Sequence, residues 1–427
     1  MFKASNHILP AKWTPRPMTR KFIARFIKIK FIKVLFMGCF TFSVIFSSLQ
    51  LVNYFFSVKS LKPLKRPYET NQMSPLSEMN SKFCFTKIHS KTSRKYSDAL
   101  QQFYFRGELT PEEDDVTVAT FVTQDDYDDL IRLAEAWQGP ISAVLHVSTK
   151  TLNDTHSSFN ELYKRNPFLK RHVDIHLVAG LFSPLDSTII SRPTNFHMNV
   201  ARLFARTDFV LFLDQDTWPS PMTRSYIRRN KELLLREDVM ILPTFAHTEN
   251  ASNHDFPQTS EEIKELVQRK AVGMRDHGWP LNDGPTNYED WSKMEIYSIS
   301  EYDLNYQPNF VIKRGSNIPW CTEQFGDFDN NKAACLLQIY LNGADLWVVP
   351  DAFLIEYHYN KNDLLKSAES KWEKIIKDRL YTNFYRAACM HYSRTLSSLG
   401  KWNTPEANNA KQLCPRIITN WGFGIIG

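Results

Sequence analysis

The stretch "FVLFLDQDTWPS", residues 209–220, joins a run of apolar residues to two carboxylates. Its first five residues are all apolar, which predicts a buried strand. Asp214 and Asp216 follow that strand and are separated by one residue. One interpretation is an exposed turn, since two prolines come soon afterwards. The other is a divalent cation bound at the carboxyl end of the strand, where open α/β sheets collect their ligands.

The chain around this stretch alternates between strand and helix patterns, which predicts parallel strands joined by crossover helices. The segments in order are "VTVATFVT" (116–123), "YDDLIRLAEAW" (127–137), "ISAVLHVS" (141–148), "VDIHLVAG" (173–180) and "TNFHMNVARLFAR" (194–206). Residues 249–300 are polar and are predicted to form a long irregular excursion near the site. We therefore predict an α/β fold with a mostly parallel central sheet.

The charge of the chain is uneven. Residues 1–33 contain nine Lys or Arg and no Asp or Glu. Subtracting these nine charges from the net charge of +6 leaves −3 for the remainder. The basic character therefore belongs to the N-terminal tail, and no zinc-knuckle spacing or helix-turn-helix pattern accompanies it. We expect no nucleic acid among the partners.

Residues 34–58 carry no charge and are long enough to cross a bilayer as a helix. The positive charges before them predict a cytoplasmic N-terminus and a lumenal remainder. A cleaved signal peptide would have a shorter apolar region, and a buried core helix rarely runs this far without a charge. We therefore predict a single-pass type II membrane protein whose residues 59–427 lie in the lumen of the endoplasmic reticulum or the Golgi.

The domain organisation predicted from these patterns has five parts. A basic cytoplasmic tail (1–33) precedes the membrane helix (34–58), and a polar stem (59–113) follows. The α/β catalytic domain covers 114–395, and a helical tail (396–427) ends the chain.

The cysteines are consistent with a lumenal compartment. One, Cys39, lies inside the predicted membrane helix. The other five would meet an oxidising lumen: Cys84, Cys321, Cys335, Cys389 and Cys414. Because five is odd, at least one is unpaired or paired between chains, and the pattern of disulfides stays open.

The spacing Asp-x-Asp occurs three times, at Asp126/Asp128, Asp214/Asp216 and Asp327/Asp329. The first pair opens a helix, where acidic residues favour the N-terminal dipole. The second pair ends a buried strand, and a metal site explains this best: Mn²⁺ or Mg²⁺ takes oxygen ligands and bridges carboxylates to a diphosphate. A third metal ligand late in the chain would be His358, with Glu356 as the alternative.

The third pair lies just before an amphipathic helix, where Asp329 or Asn330 would cap the helix. These acids are also candidates for a general base. Glycosyl transfer with inversion at the sugar carbon needs a carboxylate that takes the proton of an acceptor hydroxyl. We place Asp329 first, followed by Asp327 and Glu323.

The chain resembles the lumenal glucuronyltransferases of the LARGE and β-1,4-glucuronyltransferase type. The likeness runs from about 116 to 360 and is carried by short segments in a specific order. These segments are the "VTVATFVTQDDYDDLIRLAEAWQGPISAVLHVS" stretch, "RPTNFHMNVARLFARTDFVLFLDQDTWPSP", "GPTNYEDW", "YQPNFVIKR", "WCTEQFGDFDNNK" and "VVPDAFLIEYHY".

The resemblance implies a GT-A-type nucleotide-sugar-binding fold, a single-pass type II enzyme of the Golgi membrane, a UDP-sugar donor, Mn²⁺ and inversion at the anomeric carbon. The implied donor is UDP-glucuronic acid and the implied acceptor is a glycan or glycoprotein, while UDP-xylose, UDP-galactose and UDP-N-acetylglucosamine stay open. The residues that match the family's pattern are Asp214 and Asp216 in the D-x-D motif, Asn195 and Asn199 on the preceding helix, and the pair Asn331 and Lys332.

The chain departs from the family in three places. Met198 stands where an arginine is usual, "GDFDN" replaces a glycine-aromatic-glycine-Trp stretch, and His358 remains of two closing histidines. These departures motivate an alternative, a catalytically inactive glycan-binding or scaffold protein of the same fold. A metal-dependent phosphodiester hydrolase would need a denser His/Asp cluster than this chain has.

Overall fold

The structure is a computed structural model. It describes residues 100–148, 152–180, 194–214, 216–247, 256–274, 285–286, 291–293, 295–315, 317–325, 330–356 and 371–419. The chain divides into two units, Met1–Glu69 and Thr70–Gly427, and every described residue belongs to the second. None of the helices within these residues has the length and apolar character needed to cross a bilayer. The predicted membrane helix at 34–58 lies outside them.

Among the described residues, the strands and helices alternate through most of the chain. The strands are β1 (Leu100–Phe105), β2 (Val116–Val122), β3 (Ile141–Ser148), β4 (Val173–Gly180), β5 (Phe209–Phe212), β6 (Thr217–Pro219), β7 (Val239–Leu242), β8 (Thr244–His247), β9 (Val272–Met274), β10 (Tyr297–Ser298), β11 (Asn309–Lys313), β12 (Leu346–Val348) and β13 (Leu354–Glu356). The α-helices are α1 (Tyr127–Trp137), α2 (Leu152–Arg165), α3 (Pro167–His172), α4 (Thr194–Phe204), α5 (Thr223–Arg229), α6 (Glu232–Leu235), α7 (Ser260–Gln268), α8 (Asn331–Leu341), α9 (Lys371–Ser398), α10 (Asn408–Leu413) and α11 (Pro415–Thr419).

The larger sheet has the strand order β1-β4-β3-β2-β5-β11-β7-β12-β10. The prediction of a mostly parallel sheet is wrong, because the described sheet is mixed. The block β4-β3-β2-β5 is parallel throughout. In contrast, β11 runs antiparallel to both β5 and β7, and both edge strands are antiparallel to their neighbours. Since β11 is buried on both faces, as the strands of the parallel block are, its apolar pattern carries no signal for its direction.

A smaller sheet, β6-β13-β8-β9, begins directly after the D-x-D motif. Its strand β13 runs antiparallel to β6 and parallel to β8. The stretch "ADLWVVPDAFLIEYHY" thus supplies one strand to each sheet, β12 to the larger and β13 to the smaller. Residues 249–300 are less irregular than predicted, because α7, β9 and β10 lie within them.

The two faces of the larger sheet are covered by different helices, and the alternation of side chains along β2 shows this. Val116 and Val118 belong to the apolar cluster that contains α1, whereas Ala119 and Phe121 belong to the cluster that contains α4. Every residue of β2 is buried. This strand therefore reads as continuously apolar because both of its faces are covered.

Strand β1 lies inside the range predicted as stem, yet it forms an edge of the larger sheet through its pairing with β4. Gly107 donates its backbone N–H to Asp174 Oδ1 over 2.8 Å, and Arg206 binds the same carboxylate through Nε at 2.7 Å from Oδ2. Asp174 is buried. These contacts fasten the segment before β2 to the start of β4, so the sheet begins before residue 114.

The C-terminal helices form a third apolar cluster with α8. The disulfide Cys389–Cys414 ties α9 to the start of α11, and Cys321–Cys335 ties the segment before α8 to the helix itself. Four of the five cysteines predicted to be lumenal are thereby paired, and Cys84 lies outside the described residues. Helix α9 extends past the predicted domain end at residue 395.

Candidate active site

Asp214 and Asp216 lie at the carboxyl end of β5, as the sequence predicts. Leu213 donates its backbone N–H to the carbonyl of Ala119 over 3.1 Å, which fixes the end of β5 against the parallel strand β2. Both carboxylates are half-buried, and Asp216 Oδ1 accepts a hydrogen bond from Thr217 Oγ1 at 3.4 Å. The exposed-turn interpretation therefore fits less well than a binding site at the carboxyl end of this central strand.

Lys332 forms an ion pair with Asp214. Its Nζ donates to Asp214 Oδ2 over 2.5 Å and to Asn309 Oδ1 over 3.0 Å. Asn309 is fully buried at the start of β11 and donates its Nδ2 to Thr244 Oγ1 over 3.1 Å. The D-x-D acid is thus connected through one ammonium to α8, to β11 and to the smaller sheet.

Sequence reasoning placed Lys332 near the site only through the resemblance, and it missed Asn309 and Thr244. The available signal was weak: Asn309 is a polar residue at the head of the otherwise apolar strand "NFVIK". Such a residue is buried only when its amide is bound on the protein side.

Asn195 and Asn199 lie one turn apart on α4, and both are buried. Asn195 donates Nδ2 to the carbonyls of Thr322 (2.8 Å) and Asn331 (2.7 Å). Asn199 donates Nδ2 to the carbonyl of Cys321 (2.8 Å) and accepts its backbone N–H at Oδ1 (3.1 Å). These amides hold the segment before α8 in place, and a nucleotide contact for them stays a prediction.

Arg202 continues the same face of α4 and was missed by sequence reasoning. It is fully buried and donates to the carbonyls of Pro319 (2.8 Å) and Ile318 (3.0 Å). Two weaker contacts reach the carbonyls of Arg314 (3.3 Å) and Gly315 (3.4 Å), and the guanidinium lies 4.1 Å from the ring centroid of Trp320. Burial lowers the pKa of this guanidinium, and its carbonyl partners offset part of the desolvation cost.

Glu323 lies on the segment that α4 holds. It is buried, and its Oε1 accepts a hydrogen bond from Asn199 Nδ2 at 2.9 Å. Asp327 and Asp329, the other candidates for the base, lie outside the described residues. The disulfide Cys321–Cys335 closes the chain around both of them, because one cysteine precedes them and the other follows.

The remaining predicted positions are resolved in part. His358 lies outside the described residues, while the backbone of Glu356 pairs with Thr217, next to Asp216. Asp126 accepts hydrogen bonds from the backbone N–H and the hydroxyl of Thr123, at 2.8 and 2.6 Å, in a capping box before α1. The structural interpretation of the first Asp-x-Asp pair is therefore confirmed. Met198 is buried in the apolar core, on the helix that carries the two asparagines.

The donors at the end of β5 suit a hard divalent cation. Asp214 and Asp216 offer carboxylate oxygens, the ligand type that Mn²⁺ and Mg²⁺ prefer. Within the part of the chain that the structure describes, no group of three or more His, Cys, Asp or Glu side chains surrounds a metal position. Two protein carboxylates are nevertheless sufficient where substrate phosphates and water complete the coordination.

The family comparison agrees with this architecture. The model of a family described as glycosyl-transferase for dystroglycan matches residues 115–189 and 184–393. The chain belongs to this family, and by class it is a glycosyltransferase. The predicted membership of a LARGE-type family is confirmed.

Curated relatives share modest identity with the chain. The glycosyltransferase-like protein LARGE of Caenorhabditis elegans is 27% identical over 259 residues, which cover 59% of this chain and 39% of that protein. The human xylosyl- and glucuronyltransferase LARGE2 is 25% identical over 66% of this chain and 38% of its own length. The human xylosyl- and glucuronyltransferase LARGE1 is 23% identical over 75% of this chain and 41% of its own length. The chain thus spans about two fifths of the length of these relatives.

Two solved structures show a weak similarity. TarS 1–349 of S. aureus in complex with UDP-GlcNAc is 13% identical, with a TM-score of 0.37 and 71% of each chain covered. GalNAc-T7 with UDP, GalNAc and Mn²⁺ is 10% identical, with a TM-score of 0.35 and coverage of 72% of this chain and 57% of that one. Scores this low support no inference about this site.

Proposed function

We propose that this chain transfers a sugar from a UDP-sugar to a glycan or glycoprotein acceptor, with inversion and with the help of Mn²⁺ or Mg²⁺. The observation that carries the proposal is the position of Asp214 and Asp216. In a chain of a glycosyltransferase family, two half-buried carboxylates end a central strand beside a parallel neighbour. In open α/β sheets, ligands bind at the carboxyl ends of the strands.

In this proposal Asp214 and Asp216 hold the cation. The bound cation would supply positive charge to the diphosphate as it leaves, a contribution that is largest in the transition state. Thr217 orients Asp216 through its hydroxyl, and Lys332 orients Asp214 through its ammonium. The two carboxylates are therefore held before the donor arrives, which reduces the reorganisation needed during the reaction.

The transfer step that we propose is a single displacement at the anomeric carbon. The acceptor oxygen forms a bond to that carbon while the bond to the diphosphate breaks. The acceptor proton passes to a carboxylate, and UDP leaves with the bonding electron pair. Asp329 is the proposed base, with Asp327 as the alternative. Glu323 is better suited to an anchoring role, because it is buried and bound to Asn199.

The donor we propose is UDP-glucuronic acid. The support is the similarity to the human proteins LARGE1 and LARGE2, which are xylosyl- and glucuronyltransferases. UDP-xylose is the second candidate for the same reason, and UDP-galactose and UDP-N-acetylglucosamine complete the panel to be tested. We also propose that the protein is a single-pass type II protein of the Golgi membrane, on the strength of the uncharged run at 34–58 and the basic tail before it.

The test is UDP release by the purified full-length chain with Mn²⁺ and each UDP-sugar in turn, with and without a chelator. Asp214→Asn and Asp216→Asn are each expected to abolish release while the protein stays folded, because both side chains are half-buried and lie outside the apolar core. In Asp214→Asn the ammonium of Lys332 keeps Asn309 Oδ1 as a partner. Asp126→Asn is the matched control, because Asp126 belongs to a helix cap. Turnover at the wild-type level in either strand-end variant would refute the metal site.

The alternative of an inactive glycan-binding protein has its own outcome in this assay. It is supported if no donor is turned over and glycans bind with an affinity that ignores the metal. A complete loss of turnover in Asp126→Asn, with the fold intact, would instead mean that the wrong acid pair has been assigned.

A further inference from the structure

The ammonium of Lys332 binds Asp214, one of the two carboxylates that are proposed to hold the cation. Lys332 Nζ lies 2.5 Å from Asp214 Oδ2, and the two side chains are 12% and 21% exposed. A second contact, 3.0 Å to Asn309 Oδ1, holds the ammonium on the side of β11. The pair is therefore partly shielded from water, so it is screened less than a surface ion pair.

Lys332 is also fixed by its own helix. It is the second residue of α8, whose Cys335 is bonded to Cys321 and whose Asn331 carbonyl accepts a hydrogen bond from Asn195. The start of α8 is thus attached to α4 and to the preceding segment. The lysine cannot withdraw far from Asp214 without bending its side chain away from both oxygen partners.

We propose that Lys332 is a positioning residue of the metal site, whose ammonium holds the Asp214 carboxylate in place and competes with the divalent cation for it. This inference rests on the proposed function. An ammonium and a divalent ion that share one carboxylate lie within several ångströms of each other. Even at water-like screening, their repulsion weakens metal binding by roughly ten-fold.

Replacing Lys332 by an uncharged residue should therefore strengthen metal binding and slow turnover. Removing the ammonium makes Asp214 more available to the cation and less well positioned for the reaction. A residue that merely supports the fold would not tighten metal binding when it is replaced.

The experiment is calorimetric titration of Mn²⁺ into the full-length chain without UDP, together with UDP release under saturating donor. Lys332→Met is expected to bind Mn²⁺ about ten-fold more tightly and to turn over more slowly. Lys332→Arg keeps the charge and is expected to bind Mn²⁺ with nearly wild-type affinity. Lys313→Met is the matched control for lost charge: Lys313 pairs with Phe209, at the opposite end of β5 from Asp214, and its replacement is expected to leave Mn²⁺ affinity unchanged.

A second variant covers the case in which Lys332→Met does not fold. Asn309→Asp gives the ammonium another carboxylate partner and is expected to tighten Mn²⁺ binding as well. Unchanged or weaker binding in whichever of these variants folds overturns the inference. If the wild-type chain itself neither binds Mn²⁺ nor releases UDP, the proposed function fails instead, so the two failures are distinguishable.

Discussion

The buried histidine of β4 makes the stability of the fold dependent on pH. His176 is fully buried; its Nδ1 accepts the backbone N–H of Phe103 over 3.0 Å, and its Nε2 lies 3.0 Å from Ser142 Oγ. Ser142 in turn donates to the carbonyl of Ala201 over 2.8 Å. Since Nδ1 accepts a hydrogen bond from a backbone N–H, it carries no proton, so the ring is neutral and Nε2–H donates to the serine. A second ring proton would face the N–H of Phe103, a residue already in the left-handed region with a φ of 48°.

Burial, aided by the charge of Arg206, lowers the pKa of His176 from 6.5 to about 3. The contribution of this ring is therefore fully present above pH 6.5 and is lost as pH falls toward 3. At pH 5 the unfolded chain takes up a proton that the folded chain does not, which costs about 2 kcal/mol relative to neutral pH. Because the folded pKa lies well below 5, this cost is set by the pKa of the histidine in the unfolded chain.

The perturbation is His176→Gln, which removes the titrating group and keeps an amide that can donate to Ser142. Guanidinium unfolding of the full-length chain at pH 7 and pH 5 gives the loss of stability on acidification for each protein. We expect the wild-type loss to exceed that of the variant by about 2 kcal/mol. The measured quantity is the difference between the two proteins in the stability lost from pH 7 to pH 5. A destabilisation by the substitution that is equal at both pH values therefore does not affect it. Parallel pH dependence in the two proteins would refute the assigned protonation state.

Two further predictions concern the segment before α8. Arg202→Met is expected to destabilise the chain by about 3–5 kcal/mol, because it leaves buried carbonyls without a donor, and Arg202→Lys should recover only part of this in denaturant unfolding. Replacing both Cys321 and Cys335 by serine is expected to cost about 3 kcal/mol by loop-closure entropy and to slow UDP release. The matched control is the same replacement at Cys389 and Cys414, which should affect stability more than turnover.

The parallel half of the sheet could be predicted from the sequence because its signals are local. β2, β3 and β4 are short apolar runs, and α1 after β2 and α4 after β4 show helical spacing, so each pattern falls on the observed element. The position of Asp214 at the end of β5 followed from the same reasoning. Each of these predictions needed only the order of residues within one segment.

The antiparallel half could not be predicted in this way. A buried strand such as β11 has the same composition whether its neighbours run with it or against it. Two residues at the site were not predicted for a related reason. In the sequence, Arg202 and Asn309 are ordinary polar interruptions of apolar patterns. Only the three-dimensional arrangement shows that backbone carbonyls surround the first and that Lys332 and Thr244 bind the second.

Helix α8 connects the two halves of the proposed site. Its first turn carries Lys332, which binds the D-x-D acid, while its Asn331 carbonyl and its Cys335 are tied to α4 and to Cys321. The segment that contains the proposed base is closed between these attachments, so its flanks are fixed independently of its own sequence. In the proposed function, "GDFDN" in place of the family's usual pattern would alter the acceptor side while the ion pair between Lys332 and Asp214 stays in place.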